Sequence, residues 1–323
     1  MSEQHPQPFD RARLRLKPLS QRKHDLDLSI VMPLTHKPQS PPPPHLDAAA
    51  AAAAAASRNR RPVILMMGAH PLRRGAGDMI ANLVRRNVIT HIATNGACAI
   101  HDFEFSLIGA TTESVARYIE EGQFGLWEET GRINDAVNSA DSNLGYGRII
   151  AEHISRSGYP HKDRSLFSAC YEAGVAPTVH IGIGYDIIHE HPSFDAAAAG
   201  RASYLDFLIF AQALMGLNGG VVLNMGSAVM GPEVFLKALA MARNVKAAQG
   251  ESIQDFTTAV FDIMDIPGDY SREPDKSSHH YYMRWWKTLL VRTLGSKGRS
   301  FFISGDFRET VPHFYHAVIR HIG

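Results

Sequence analysis

Short apolar segments alternate along this chain with segments of helical spacing, and this alternation limits the possible folds more than any other feature. The apolar segments include PVILMMG at 62–68, VITHIAT at 88–94, APTVHIGIG at 176–184 and GGVVLNMGS at 219–227. Such continuous apolar strands are typical of a parallel sheet, because helices cover both of its faces. The intervening segments place apolar residues three and four positions apart, as a helix requires. The sequence therefore predicts an α/β fold, a parallel sheet with helices on both faces.

The first 60 residues differ in composition from the rest of the chain. They contain four consecutive prolines at 41–44 and nine alanines from Ala48 to Ala56. The prolines favour polyproline II, and the alanines could form a short helix with Asp47 as its N-cap. Few large apolar residues are available to anchor either element. We therefore expect residues 1–60 to be a flexible N-terminal extension, mobile or docked on a neighbour, and residues 61–323 to form the folded domain.

Composition limits the classes of protein to which the chain can belong. Its 323 residues are 45% hydrophobic, enough for a sizeable core, and the net charge of +1 gives no general attraction to nucleic acid. The two cysteines, Cys98 and Cys170, cannot form a disulfide framework and suit a reducing compartment. We see neither an apolar signal core nor an apolar run of ~20 residues. We expect a cytoplasmic protein without nucleic-acid or membrane partners.

Small and titratable residues lie together at the ends of five predicted strands. These ends read MGAH at 67–70, TNGA at 94–97, HIGIGYD at 180–186, NMGS at 224–227 and ISGD at 303–306. Ligands of open parallel sheets bind at the carboxyl ends of the strands, where glycine allows close approach and helix N-termini offer N–H groups to phosphate. For the strand end at 94–97 alone, a tight turn explains Gly96 and Ala97 as well as a ligand site does. Five such ends together favour a nucleotide site.

Several common motifs are absent from the sequence. No GxGxxG follows a predicted strand, no GxxxxGK[ST] occurs and no GxSxG occurs. The segment DIIHEH places His189, Glu190 and His191 close to Asp186, but there is no HExxH, and a solvated loop is the favoured interpretation. We therefore predict no metal site, no P-loop and no hydrolase nucleophile elbow.

Lys287 follows two tryptophans directly, in the segment RWWKT. A lysine against partly dry aromatic walls can have a lowered pKa and act as an amine nucleophile. A lysine stem can equally lie along an indole while its charge stays in water. These residues alone favour the second interpretation.

The order and spacing of four stretches resemble deoxyhypusine synthase and its bacterial relatives. The resemblance runs from Gly68 to the C-terminus, about four fifths of the chain. The four stretches are residues 68–109, APTVHIGIGYDII, GGVVLNMGS with MARN, and RWWKT with ISGDFRETVP. The resemblance implies a Rossmann-like NAD-binding catalytic domain without the usual fingerprint, and a homotetramer with active sites at dimer interfaces. In that family, NAD oxidises spermidine, and the aminobutyl group passes through a lysine imine to an acceptor lysine.

The resemblance also implies roles for individual residues of this chain. Lys287 matches the catalytic lysine, and Trp285 matches the aromatic residue two positions before it. Asp186 matches the carboxylate that holds the substrate ammonium, and His101 and Asp102 are expected to face the same amine. The residues that match NAD contacts are Ala69, His70, Thr94, Asn95, Gly96, Gly226 and Asp306.

Departures from the family pattern concern its charged positions. Met230 and Gly231 stand where the family has a histidine pair, and Ile181 stands in place of a cofactor aspartate. Ile100 and His101 replace a pair of glutamates. The acidic cluster before the lysine is reduced to two residues, Glu273 and Asp275. A divergent relative with a different amine substrate is therefore expected.

Two functions follow from these observations. The leading interpretation is an NAD-dependent transferase that moves an aminobutyl-type group from a polyamine such as spermidine to a free amine or a protein lysine. The alternative is a nucleotide-binding protein of the same fold without transferase chemistry. The two differ at Lys287, which only the transferase needs beside the nicotinamide.

Overall fold

A six-stranded parallel sheet forms the centre of the protein, as the computed structural model shows for residues 6–323. Its strands are β2 (Val63–Met67), β3 (His91–Thr94), β5 (Ala176–Val179), β6 (Val221–Met225), β7 (Thr257–Asp262) and β8 (Arg299–Ser304). Two short strands, β1 (Leu26–Asp27) and β4 (Ala110–Thr111), pair with each other in an antiparallel ribbon. The predicted apolar strands are thus present in the structure.

Eleven α-helices are found in the described part of the chain. They are α1 (Leu46–Arg58), α2 (His70–Arg73), α3 (Gly77–Arg85), α4 (Gly96–Ile108), α5 (Val115–Glu120), α6 (Arg132–Ser139), α7 (Tyr146–Arg156), α8 (Leu166–Ala173), α9 (Ala196–Leu214), α10 (Met230–Ala248) and α11 (Phe307–Ile322). A π-helix spans Trp286–Arg292. Short 3₁₀ turns occupy Arg11–Arg13, Leu19–Gln21, Leu28–Ile30, Lys162–Arg164, Ile187–His189 and His279–Tyr282.

The strand order is β5-β3-β2-β6-β7-β8, and every neighbouring pair is parallel. If the six strands of this sheet are renumbered 1 to 6 in chain order, their order across the sheet is 3-2-1-4-5-6, which is that of a Rossmann fold. The chain therefore has a Rossmann-like α/β fold, which confirms the predicted fold class. The order reverses between β2 and β6, and ligands of such folds bind beyond the carboxyl ends of the strands at that position.

Helices cover both faces of the sheet. Side chains alternate along β2, so Val63, Leu65 and Met67 join one apolar cluster, whereas Ile64 and Met66 join another. The first cluster includes residues of α1, α3, α4, α7, α8 and α11, and the second includes residues of α9, α10 and the π-helix. Burial on both faces explains why the strands lack polar alternation.

The alanine-rich segment forms α1 and packs along α11. Ala49, Ala50 and Ala53 are fully buried in the first apolar cluster, because side chains this small allow the two helices to approach closely. The helix begins at Leu46 after His45, so Asp47 lies in its first turn and is not its N-cap. Asp47 instead accepts a hydrogen bond from Arg320 at the end of α11. The domain boundary at residue 61 stays a prediction.

Residues before α1 in the described part of the N-terminal segment also contact the domain. Leu19 is buried beside Tyr118 and Trp127, and Arg11 donates hydrogen bonds to the carbonyl oxygens of His191 and Phe194. Among the described residues, no helix is long and apolar enough to cross a lipid bilayer.

Candidate functional site

A crevice runs along the carboxyl edge of the sheet, where β2 and β6 lie side by side. One part, of about 330 Å³, lies between the ends of β3, β5 and β6, and a second part, of about 420 Å³, lies on the other side of β6. Gly226 lines both parts. Each volume falls within the range of about 300–1,000 Å³ that is typical of ligand sites. We call these two cavities together the crevice.

Gly226 has the backbone conformation that its position requires. Its φ of +65° lies in the left-handed region, which strongly favours glycine. A Cβ at this position would lie 3.0 Å from the ring of Phe307 and 3.5 Å from Cβ of His70. Both the backbone conformation and the close packing against Phe307 therefore favour glycine at this point of the crevice.

The first part of the crevice is built on the N-terminus of α4. The side chain of Asn95 caps this helix and accepts a hydrogen bond from the Cys98 N–H at 3.0 Å. The helix begins at Gly96, so the expected small-residue turn is in fact its first turn. The Asp186 carboxylate lies so close to Gly96 that it would overlap a Cβ there.

Asp186 lies between the crevice and a further cavity. Its carboxylate lines both, and it is 9% exposed. Burial raises the pKa of Asp186 to about 6, although a hydrogen bond from the Ala97 N–H favours the charged form. The ring of His189 lies 3.8 Å away, Nε2 to Oδ2. Asp186 is thus a nearly buried carboxylate, packed against the first turn of α4 at the boundary of the two cavities.

The further cavity, which we call the side cavity, has a volume of about 450 Å³. Its polar lining is mostly able to accept hydrogen bonds: Asp25, His101, Glu104, Thr112, Ser114, Glu113 and Asp186, with Arg22 and Arg73. Burial lowers the pKa of His101 to about 4, so its imidazole is neutral near pH 7. Its Nδ1 lies 2.7 Å from the Thr111 hydroxyl.

Glu104 and Arg22 form a buried ion pair in the wall of the side cavity. The guanidinium donates to both carboxylate oxygens at 2.8 Å. Burial opposes ionisation of Glu104, but hydrogen bonds and charge from Arg22 outweigh it and hold the pKa of Glu104 below its usual value. Sequence reasoning missed this pair because Arg22 lies in the N-terminal segment, 82 positions away.

Asp102 does not join His101 at either cavity. It accepts hydrogen bonds from the N–H groups of Leu166 and Phe167 and from the Ser165 hydroxyl, at the start of α8. Adjacent positions on a helix point about 100° apart, so the two side chains cannot share one site. In the described chain Asp102 therefore caps α8, whereas it was expected to face the amine.

The expected cofactor residues occupy different places around the crevice. His70 lines its second part and packs edge-on against Phe307, with Ala69 just before it. Thr94 is buried within the sheet, where its hydroxyl donates to the Thr178 carbonyl at 3.4 Å. Asp306 caps α11 through the Arg308 N–H and is paired with Arg74. Neither Thr94 nor Asp306 lines the crevice.

Lys287 and Trp285 lie two positions apart and do not share one cavity, with Trp285 directly before the π-helix and Lys287 within it. Trp285 lines the second part of the crevice and stacks on Phe302, with ring centroids 4.9 Å apart. Lys287 is buried, and its Nζ lies 3.8 Å from the ring centroid of Tyr281. Lys287 lines neither the crevice nor the side cavity. Such π-helical turns are frequent at functional sites.

No group of three or more His, Cys, Asp or Glu side chains within residues 6–323 is arranged to hold a metal ion. His189 and His191 of the DIIHEH segment point to different partners. His189 accepts from the Gly184 N–H, and His191 lies 2.9 Å from the Gly125 carbonyl.

No protein-family model matches the chain, and no curated protein sequence matches it. Solved structures do match. A protein provisionally named LOR/SDH from Methanococcus maripaludis S2 superposes with a TM-score of 0.51 at 14% identity, over 88% of this chain and 71% of that one. What the two share is the fold.

Two further solved structures are similar over most of this chain. ArgZ, an arginine dihydrolase from the ornithine-ammonia cycle in Cyanobacteria, matches with a TM-score of 0.50 and 12% identity over 85% of this chain. The chain spans 32% of the length of ArgZ. A provisionally named deoxyhypusine synthase from Entamoeba histolytica matches with a TM-score of 0.46 and 7% identity, over 85% of this chain and 87% of that one.

Proposed function

We propose that the chain binds NAD in the crevice and transfers an aminobutyl-type group from a polyamine such as spermidine to an acceptor amine through an imine on Lys287. One observation carries the proposal. The crevice lies where the strand order reverses, and its boundary with the side cavity is the buried carboxylate of Asp186. A nucleotide site and an amine anchor are therefore adjacent, as this reaction requires.

The residues of the crevice fit NAD. Gly226 lines both parts of the crevice beside β6, and Gly96 at the start of α4 lines the first part. His70, with Ala69 before it, forms the wall on the side of β2. When bound, NAD would accept a hydride from the carbon next to the amine nitrogen. Thr94 and Asp306 hold the surrounding backbone through their hydrogen bonds.

Asp186 is the proposed anchor of the amine. A carboxylate that is buried and only partly satisfied binds an ammonium group strongly, because water does not compete. The same ammonium would stabilise the charged form of Asp186 and lower its pKa from about 6. The amine then lies between the crevice and the side cavity.

Lys287 would take up the aminobutyl group. Its neutral amine would attack the oxidised carbon with loss of the diamine fragment, and the acceptor amine would later displace Lys287. The hydride taken up at the start would be returned to the same carbon at the end. The reaction is therefore redox-neutral overall. Support comes from the match of RWWKT to the family motif and from Trp285 in the wall of the crevice.

A nucleotide-binding protein without this chemistry is the second candidate. The observation that favours it is the position of Lys287, whose Nζ lies on Tyr281 and not in the crevice. In the transferase, the active site would include a second copy of the chain, as the resemblance implies. Exposed apolar side chains near the crevice, namely Tyr185, Val229 and Tyr282, support a homotetramer as part of the proposal. Light scattering at micromolar concentration tests this assembly.

Borohydride trapping separates the two candidates. The full chain is incubated with NAD and spermidine, borohydride is added, and the adduct is mapped by mass spectrometry. The transferase predicts an adduct on Lys287 that Lys287→Arg abolishes without loss of NAD binding, since arginine stays protonated. Lys276→Arg, at an exposed lysine in the same region, is the matched control and should keep the adduct. NAD binding without any adduct on Lys287 would support the second candidate.

A further inference from the structure

Three side chains form a continuous hydrogen-bonded series in the wall of the side cavity. His101 Nδ1 lies 2.7 Å from the Thr111 hydroxyl oxygen, and the Thr111 hydroxyl lies 2.6 Å from Oε2 of Glu104. These residues come from α4 and β4, which pack directly on each other. The series leads from a buried carboxylate to an imidazole at the surface of the cavity.

Glu104 acts in this series only as an acceptor. Its two oxygens accept four hydrogen bonds, two from Arg22, one from Thr111 and one from Thr130. A carboxylate has about four lone-pair sites, so its capacity is filled and no proton remains on it to donate. The direction of the bond between Thr111 and Glu104 is therefore fixed.

A count of protons then assigns the tautomer of His101. Thr111 has one hydroxyl proton, and it is donated to Glu104. The hydroxyl oxygen can therefore only accept from His101, so Nδ1 of the neutral imidazole carries the proton. The lone pair of His101 is left on Nε2, the nitrogen that is free to meet a ligand.

His101 lines the side cavity, and Nε2 is the ring nitrogen that the bond to Thr111 does not use. Within residues 6–323 it has no hydrogen-bond partner, and it is not enclosed by protein. Four carboxylates line the same cavity, those of Asp25, Glu104, Glu113 and Asp186, together with the guanidinium groups of Arg22 and Arg73. Glu104 compensates the charge of Arg22, so three carboxylates remain against Arg73. A group that donates N–H bonds therefore fits this lining better than a carboxylate or phosphate does.

We infer that the side cavity binds the amine of the substrate, that His101 accepts an N–H bond from it through Nε2, and that Thr111 and Glu104 are positioning residues that fix this tautomer. The inference rests on the proposed function in taking an amine as the ligand, but it does not depend on NAD. Asp186 binds the charged part of the ligand, and His101 orients one N–H without adding charge. An amine is thereby preferred over a quaternary ammonium, which lacks the N–H.

The tautomer is tested without any ligand. We label the histidines of the full chain with ¹⁵N and record long-range ¹H–¹⁵N correlations, with His101→Leu to assign the signals. The inference predicts a protonated Nδ1 and an unprotonated Nε2. Thr111→Val should shift His101 toward the other tautomer. Thr130→Val removes a bond to the same carboxylate without touching His101 and should leave the tautomer unchanged. A proton on Nε2 in the unaltered chain overturns the inference.

The ligand is tested with spermidine and, as a counter-probe, tetramethylammonium. Spermidine should shift the Nε2 signal in a saturable way, and tetramethylammonium should not. His101→Leu should weaken spermidine binding at least tenfold in calorimetry, and His101→Gln, which keeps an acceptor oxygen, should restore part of it. An unchanged Nε2 signal with spermidine overturns the inference even if NAD binds. A shifted signal in a chain that does not bind NAD supports the inference and removes the proposed function.

Discussion

Thr112 shows how one residue can be locally unfavourable in the wall of a functional cavity. Its φ of +66° lies in the left-handed region, which is rare for a β-branched residue, and its buried hydroxyl has no partner among the described residues. Each of these features costs of order 1–3 kcal/mol. The strain is compatible with a wall that is shaped for a ligand.

Thr112→Gly should therefore raise the free energy of unfolding. Glycine accepts the left-handed conformation and removes the unpartnered hydroxyl, and these gains outweigh its greater flexibility in the unfolded chain by about 1 kcal/mol. Urea denaturation followed by circular dichroism measures the change. Ser114→Gly is the control, because Ser114 caps α5 at a φ of −69° and should lose a few tenths of a kcal/mol. Destabilisation by Thr112→Gly beyond that of the control contradicts the interpretation.

Asp206 gives a prediction about pH. Burial raises the pKa of Asp206 to about 7, although the N–H groups of Val179 and Gly147 favour its charged form. Between about pH 4 and 7 the folded chain therefore holds a proton that the unfolded chain has released, so this contribution to stability is lost as pH rises.

Asp206→Asn should remove that loss. The stability of the variant relative to the unaltered chain should increase from pH 5 to pH 7, by at most about 1.4 kcal/mol per pH unit, and stay level above pH 8. Urea unfolding at each pH supplies the values. Glu120→Gln, at an exposed position on α5, controls for the lost charge. A relative stability of Asp206→Asn that is independent of pH would show that Asp206 is already ionised when buried.

Among the elements, the apolar strands could be predicted from the sequence and the starts of several helices could not. Strand β2 at Val63–Met67 lies within the predicted segment 62–68, because burial on both faces leaves an unbroken apolar pattern. Helix α4 starts at Gly96, where the sequence suggested a tight turn, since the Asn95 cap compensates for glycine in its first turn. The docking of α1 depends on the shape of α11, which no local pattern contains.

The contact between α1 and α11 can be tested by the size of one side chain. Ala53 is fully buried, whereas Ala48 on the same helix is exposed. Ala53→Leu should reduce the free energy of unfolding by about 1–3 kcal/mol, because extra methylenes do not fit a packed interface. Ala48→Leu should change it by less than about 0.5 kcal/mol. Thermal and urea unfolding compare the two, and equal effects would mean that α1 is not packed as described.

At the scale of the whole molecule, strand ends with glycines could be predicted from the sequence. Which of these ends lie next to each other in the sheet could not be predicted. The pairing of β2 with β6 brings Gly68 beside Gly226 across more than 150 positions. The side cavity likewise depends on Arg22 and Glu104 meeting from distant segments. Lys287 lies in a π-helix with its Nζ on the ring of Tyr281, which the pattern RWWKT does not reveal. The roles assigned to the site residues stay predictions.

The central claim is that the crevice beside Gly226 binds NAD, and calorimetric titration with NAD tests it most directly. The unaltered chain should bind one NAD per chain, and Gly226→Ala should weaken binding at least tenfold, because its Cβ would press against Phe307 and His70 and displace these two walls of the crevice. Gly250→Ala is the matched control: its φ of +73° imposes similar backbone strain, and a Cβ there meets nothing within 4 Å. It should bind NAD normally. Absence of heat at millimolar NAD, or equal affinity in Gly226→Ala and Gly250→Ala, would contradict the account.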